Sequence, residues 1–194
     1  TRESIEGYTL NGRKIPGLGS PTAPEAMSVY TIDLRNNQVM DRFKTGYQIG
    51  EMVEGAEVTG GASPNSLAVG SRYAYVTNAT NDNISVIDYH NHAIVGTISL
   101  KVNTQIDRYR GLLPFGITLS KDEKTLYVAL LGFNALAVID IETQATKGLI
   151  PTGWGPARVL LSIDEKEIYA ISCRGYGAGP NGGKGFEPPV QGTY

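Results

Sequence analysis

The sequence predicts an all-β chain: a β-propeller built from four-stranded antiparallel blades, with about three blades present. Three observations carry that prediction. Short β-rich runs separated by polar turns recur in groups of four. The groups repeat at intervals of about 40–50 residues, the period of propeller blades. The 194 residues include 24 glycines and 10 prolines, which suit the many tight turns of such a repeat.

The clearest group runs from Leu113 to Pro156. Leu113–Ser120, Thr125–Leu131, Ala135–Asp140 and Thr146–Pro151 are its four runs, and Lys121–Lys124, Gly132–Asn134 and Glu142–Gln144 are its turns. A second group occupies Ser63–Val69, Tyr73–Asn78, Ile84–Asp88 and Ala93–Leu100. Ala26–Leu34 and Gln38–Thr45 read as a third and fourth run, whereas Pro156–Ser162 and Glu167–Cys173 read as a first and second. The whole chain is therefore expected to be one partial propeller. It divides into a half blade (26–45), two blades (63–100 and 113–151), a second half blade (156–173) and a Gly/Pro-rich insertion (174–194).

In order, Tyr8–Lys14 reads as a short hairpin and is followed by a Gly/Pro-rich link. Ala26–Leu34 has the pattern of a strand packed on both faces. Asp33, Asp88 and Asp140 each end a third run, where a carboxylate can accept backbone N–H groups and hold the turn. That structural role is preferred to a catalytic one because it recurs once per blade. Three segments are longer than a turn requires: Gly46–Gly61, with Glu51, Glu54 and Glu57; Lys101–Leu112, with Arg108, Tyr109 and Arg110; and Gly175–Tyr194.

Strand direction reverses at every turn of a meander. Connections from second to third strands, and from fourth strands to the next blade, therefore leave on one face. All three long segments fall in that class, so one face is elaborated and the other is plain. Sites concentrate in long loops on a rigid scaffold, which places any site on the elaborated face near the axis.

Charge excludes some classes of function. With 17 basic and 19 acidic residues, a general electrostatic role on nucleic acid or a membrane surface is not expected. No apolar run reaches the roughly 18 residues of a membrane span, and Thr1 does not open a signal-peptide pattern. The single cysteine, Cys173, sits in a β-run and is expected to be a buried, inert thiol.

Several segments invite chemistry and are better read otherwise. Asn78–Asn83 is rich in oxygen ligands but lacks the ordered spacing of a calcium loop, so a polar hairpin loop is expected. His90 and His92 occupy a plain-face turn with no third ligand nearby, and no metal is expected. Gly177–Gly182 matches a dinucleotide fingerprint formally, but Pro180 lies inside it and no helix follows. No cofactor is expected. What remains is a set of cations with one aromatic: Arg108 and Arg110 in an insertion, Trp154 at a blade junction, Arg158 at the channel mouth, and Arg174 ending a second run. Arginine with an aromatic suits an anionic or sugar-like ligand. The competing reading pairs these residues with Glu51, Glu54 or Glu57, or has them anchor a neighbouring domain.

Tyr75-Val76-Thr77-Asn78, Pro114-x-Gly116-Ile117 and Ser85-Val86-Ile87-Asp88 together resemble the YVTN-repeat β-propeller family. Gly17–Glu25, and Gly153-Trp154-x-Pro156 leading to Gly175–Asn181, resemble a bacterial subgroup in which such a propeller precedes an alkaline-phosphatase-like phosphoesterase domain. Only one second run carries all four letters; the others read Tyr127-Val-Ala-Leu130 and Tyr169-Ala-Ile-Ser172. The resemblance implies about seven blades in a complete member and a periplasmic or extracellular location. It also implies a non-catalytic binding scaffold. The alternative is a propeller hydrolase such as a sugar lactonase, which needs a general base at the axis. With about three blades, the expected partners are the remainder of a propeller or a second copy of the chain, and possibly a phosphoesterase domain.

Overall fold

A computed structural model describes residues 7–15, 17, 23, 25–101 and 109–174. It is built of strands. β1 (Tyr8–Leu10) and β2 (Arg13–Ile15) form the expected hairpin. β3 (Ser28–Asp33) and β4 (Gln38–Lys44) form a two-stranded sheet, half-blade 1. The 46–61 insertion contains a small hairpin of its own, β5 (Met52–Val53) with β6 (Ala56–Glu57), which the polar sequence of the segment did not announce.

Two complete antiparallel meanders follow. Blade 2 contains β7 (Pro64–Val69), β8 (Tyr73–Asn78), β9 (Asn83–Asp88) and β10 (Ala93–Ser99), paired in chain order. Blade 3 contains β11 (Pro114–Leu119), β12 (Thr125–Leu130), β13 (Ala135–Asp140) and β14 (Ala145–Pro151). Half-blade 4 is β15 (Pro156–Leu161) paired with β16 (Ile168–Ser172). The first strands β7, β11 and β15 lie against one another, as inner strands around a propeller axis do. Each is irregular after its opening proline, at Pro64/Ser66, Pro114/Ile117 and Pro156/Arg158.

Period-2 alternation explains how the blades stack. In β8, Tyr75 enters a core shared with Ile117, Leu126 and Val128 of blade 3. Its neighbours Ala74 and Val76 point the other way, against Phe43 and Val29 of half-blade 1. In β12, Leu126, Val128 and Leu130 face back to blade 2, while Tyr127 and Ala129 face Val159 and Ile168 of half-blade 4. Blades 2 and 3 are thus each a slice between two apolar interfaces.

β3 departs from the expectation of a strand buried on both faces. Its residues are half-buried or exposed, because β4 is its only strand partner among the described residues.

A glycine sets the closest inter-blade approach. A Cβ on Gly116 would lie 2.6 Å from the Cα of Arg158 and 2.7 Å from the Ala157 carbonyl oxygen. Backbone touches backbone there, so inner strands β11 and β15 can meet only without a side chain.

Candidate functional site

The blade junctions share one device on the elaborated face. Met27, Asp82 and Asn134 each precede a third strand with φ of 52°, 47° and 55°, in the left-handed region. Their carbonyls accept the N–H groups of Thr45, Leu100 and Thr152, at 2.8, 2.9 and 3.0 Å, from just beyond the corresponding fourth strands. Asp82 goes further: its carboxylate accepts from Gly111 N at 2.6 Å and Leu113 N at 3.0 Å. Asn134 Oδ1 accepts from Gly155 N at 2.8 Å. One side chain therefore anchors the entry to the next blade.

This anchoring draws the elaborated segments of blade 2 together. Tyr47 N donates to Asn81 Oδ1, Gly46 N to Ser85 Oγ, and Arg110 pairs with Glu54 on the β5–β6 hairpin. Lys101 lies 3.9 Å from the same carboxylate. Between these segments is a cleft of about 480 Å³, bordered by Tyr47, Glu54, Glu57, Thr80, Asp82 and Arg110. It is open, carries both signs of charge, and draws its walls from the insertion, the turn after β8 and the entry to blade 3.

The sequence-selected residues divide between places. Arg108 and the 175–194 segment, with Gly177–Gly182, lie outside the described residues. Arg110 borders the cleft, and its ion pair with Glu54 is the pairing considered as the alternative to ligand binding. Trp154 and Arg174 meet one junction further along, where Arg174 N donates to the Trp154 carbonyl. Arg158 is the third residue of the inner strand β15, as its place in the first run implied, and pairs across β15–β16 with Ile171. Asp33 accepts from Arg35 N, Asp88 from His90 and Asn91 N, and Asp140 from Thr143 N, so each closes its turn.

One local expectation changes: Cys173 is exposed, because β16 has only β15 as a strand partner among the described residues and the residue follows its end. Asn78–Asn83 forms the expected polar hairpin connection between β8 and β9, and within it Asn78, Asp82 and Asn83 are buried and bonded inward. His92 Nδ1 lies 2.8 Å from Asp41 of half-blade 1, and His90 Nε2 is 3.2 Å from the Ser71 carbonyl. No group of three or more metal-ligating side chains forms among the described residues. No helix among them is long and apolar enough to cross a membrane.

The blade sheets, their inner strands and the shared interfaces define a partial β-propeller. No family model matches the chain, and no curated protein matches it significantly. Among solved structures it is similar to a chain of Kuenenia stuttgartiensis hydrazine synthase, a β-propeller-containing protein. The two share 28% identity with a TM-score of 0.60, over 77% of this chain and 37% of that one. The chain thus spans little more than a third of the length of that neighbour.

Proposed function

We propose that this chain is a non-catalytic propeller scaffold that binds a ligand or a neighbouring domain through its elaborated face. The observation carrying this reading is the cleft of about 480 Å³, whose walls come from the segments that elaborate that face. Its chemistry favours a polar partner. Glu54 and Glu57 supply carboxylates, Arg110 a guanidinium and Tyr47 an aromatic ring. Such a mixed rim suits a polyhydroxylated ligand or a polar protein loop better than an apolar molecule.

The sequence resemblance to propellers that accompany an alkaline-phosphatase-like domain supports such a domain as the neighbour. The same resemblance supports a periplasmic or extracellular setting. Hydrogen exchange of the chain with and without probes tests the reading. The probes are a neutral disaccharide, glucuronate and a purified alkaline-phosphatase-like domain. Protection of 51–60, 80–82 and 109–111 by one probe, lost in Glu54→Ala/Arg110→Ala, is the expected result. Protection confined to other segments, or unchanged in the double variant, overturns it.

A further inference from the structure

Blade 2 turns one cross-strand row toward blade 3 that stops short of filling the space between them. Ala68, Tyr75, Val86 and Gly96 oppose one another across β7, β8, β9 and β10, so their side-chain positions share one face. Tyr75 and Val86 belong to the core shared with blade 3. The row ends at Gly96, just past the register shift in β10. A Cβ there would meet nothing nearer than the Val86 Cβ at 3.9 Å. A pocket of about 300 Å³ is left, walled on its far side by Ile141 and Gln144 of the β13–β14 turn, with Tyr73 beside Tyr75. That turn belongs to the plain face, and the pocket shares no residue with the cleft beside Arg110.

One polar group in this pocket is unsatisfied. Tyr75 is only 4% exposed, yet its hydroxyl has no hydrogen-bond partner among the described residues. Buried tyrosine hydroxyls ordinarily find one. Burial, and then the nearby Glu123 carboxylate, pushes the Tyr75 pKa up, so the group stays protonated and offers a donor. Glu123 is fixed there by Ser71, whose N–H and hydroxyl donate to it at 2.7 and 2.9 Å, and its charge disfavours an anion in the pocket. The nearest cation, Arg72, lies 5.1 Å from the centre of the Tyr73 ring and is paired with Asp88 at 3.0 Å. Tyr127, Val138 and Gly148 repeat the row in blade 3. Half-blade 4 has no third-to-fourth turn among the described residues, so blades 2 and 3 form the one described junction with both walls.

We propose that this pocket binds a neutral, single-ring aromatic molecule whose polar substituent accepts the Tyr75 hydroxyl. Each part of that description has a source. An acceptor satisfies the one buried donor that the protein leaves open. A ring is favoured over an alkyl chain by the aromatic side chains of Tyr73 and Tyr75, with Val86 and Ile141 supplying apolar walls. Neutrality follows from the fixed charge of Glu123 and the prior pairing of Arg72. A volume of about 300 Å³ lies at the lower end of the roughly 300–1,000 Å³ of small-molecule sites, which suits one ring. A primary amide substituent would also donate to the exposed side chain of Gln144 at the mouth.

Benzamide titrated into the nitrogen-15-labelled chain, followed by backbone amide shifts, tests the proposal. Saturable shifts confined to 73–76, 94–98 and 141–144 are expected, with a midpoint of about a millimolar or below. Benzoate is expected to bind at least about tenfold more weakly, the effect of one like charge at close range. Tyr75→Phe keeps the ring and removes the donor, and should weaken benzamide binding about fivefold or more. Gly96→Leu puts a side chain into the pocket at a position whose backbone is not left-handed, and should abolish binding. Should Gly96→Leu fail to fold, Tyr75→Phe, which removes a single oxygen, decides alone. The proposal is overturned by the absence of saturable shifts, by shifts spread evenly over the surface, or by benzoate binding as well as benzamide. Undiminished binding in Tyr75→Phe, or in a folded Gly96→Leu, overturns it equally.

Discussion

Asn78 donates its side-chain amide to Asn83 Oδ1 at 2.8 Å, tying the end of β8 to the start of β9 inside the protein. The same amide donates to Ser85 Oγ at 2.9 Å, and that hydroxyl accepts the N–H of Gly46 at 3.0 Å. In blade 3 the equivalent positions are Leu130, Ala135 and Ala137, all buried and apolar. The repeat therefore accepts either a bonded polar trio or an apolar one.

Stability should follow that either-or choice. Asn78→Ala strands buried partners and is expected to cost about 1–3 kcal/mol in urea unfolding. Asn78→Leu/Asn83→Ala/Ser85→Ala copies blade 3 and should recover most of that loss, leaving only the Gly46 N–H without its acceptor. A triple variant less stable than Asn78→Ala would show that the trio is not a closed unit.

Asp82 carries the next prediction. Its carboxylate takes two backbone N–H groups at the entry to blade 3, whereas Asn134 takes one at the entry to half-blade 4. Asp82→Ala should destabilise by about 2–3 kcal/mol, in the range for hydrogen bonds to a charged group. Asp82→Asn keeps one good acceptor and should lose clearly less. Equal losses in the two variants would mean that the left-handed backbone at this position, not the side chain, holds the junction.

Much of the fold is legible in the sequence because a propeller repeats. Asp33, Asp88 and Asp140 mark the turns, the opening prolines mark the inner strands, and strand parity alone assigns 46–61 and the 109–112 entry to blade 3 to the same face. Contacts that join distant residues are not legible in the same way. Asp82 reads as one more polar loop residue because its partners, Gly111 and Leu113, lie 29 and 31 residues away. Its one sequence signal is its equivalence to Asn134. The β5–β6 hairpin, with two residues per strand, offers no periodicity to detect.

Gly116 gives a steric prediction. Gly116→Ala brings a methyl group within 2.6–2.7 Å of β15 backbone atoms, which cannot rotate away. Blade 3 and half-blade 4 must separate, at a cost of about 1–3 kcal/mol typical of overpacking. Hydrogen exchange should rise in β15 and β16 more than in blade 2. A uniform rise through the molecule would count against a local separation.

The turn aspartates predict how acid acts on the fold. Backbone N–H donation from Asn91, followed by the Arg72 guanidinium, holds Asp88 at about 2 against an ordinary 3.8. Lys147, with the N–H and hydroxyl of Thr143, holds Asp140 at about 2 as well. Both carboxyls bind protons less readily folded than unfolded, so the unfolded chain takes up more protons as pH falls. Their stabilisation is therefore complete above about pH 4 and is lost progressively as pH drops through 2. Urea midpoints between pH 5 and 2 should fall with pH for the wild type. Asp88→Asn and Asp140→Asn should each start from a lower midpoint at pH 5 and fall less steeply, because one titrating group has been removed. An acid slope unchanged in both variants would assign the pH dependence to other carboxyls.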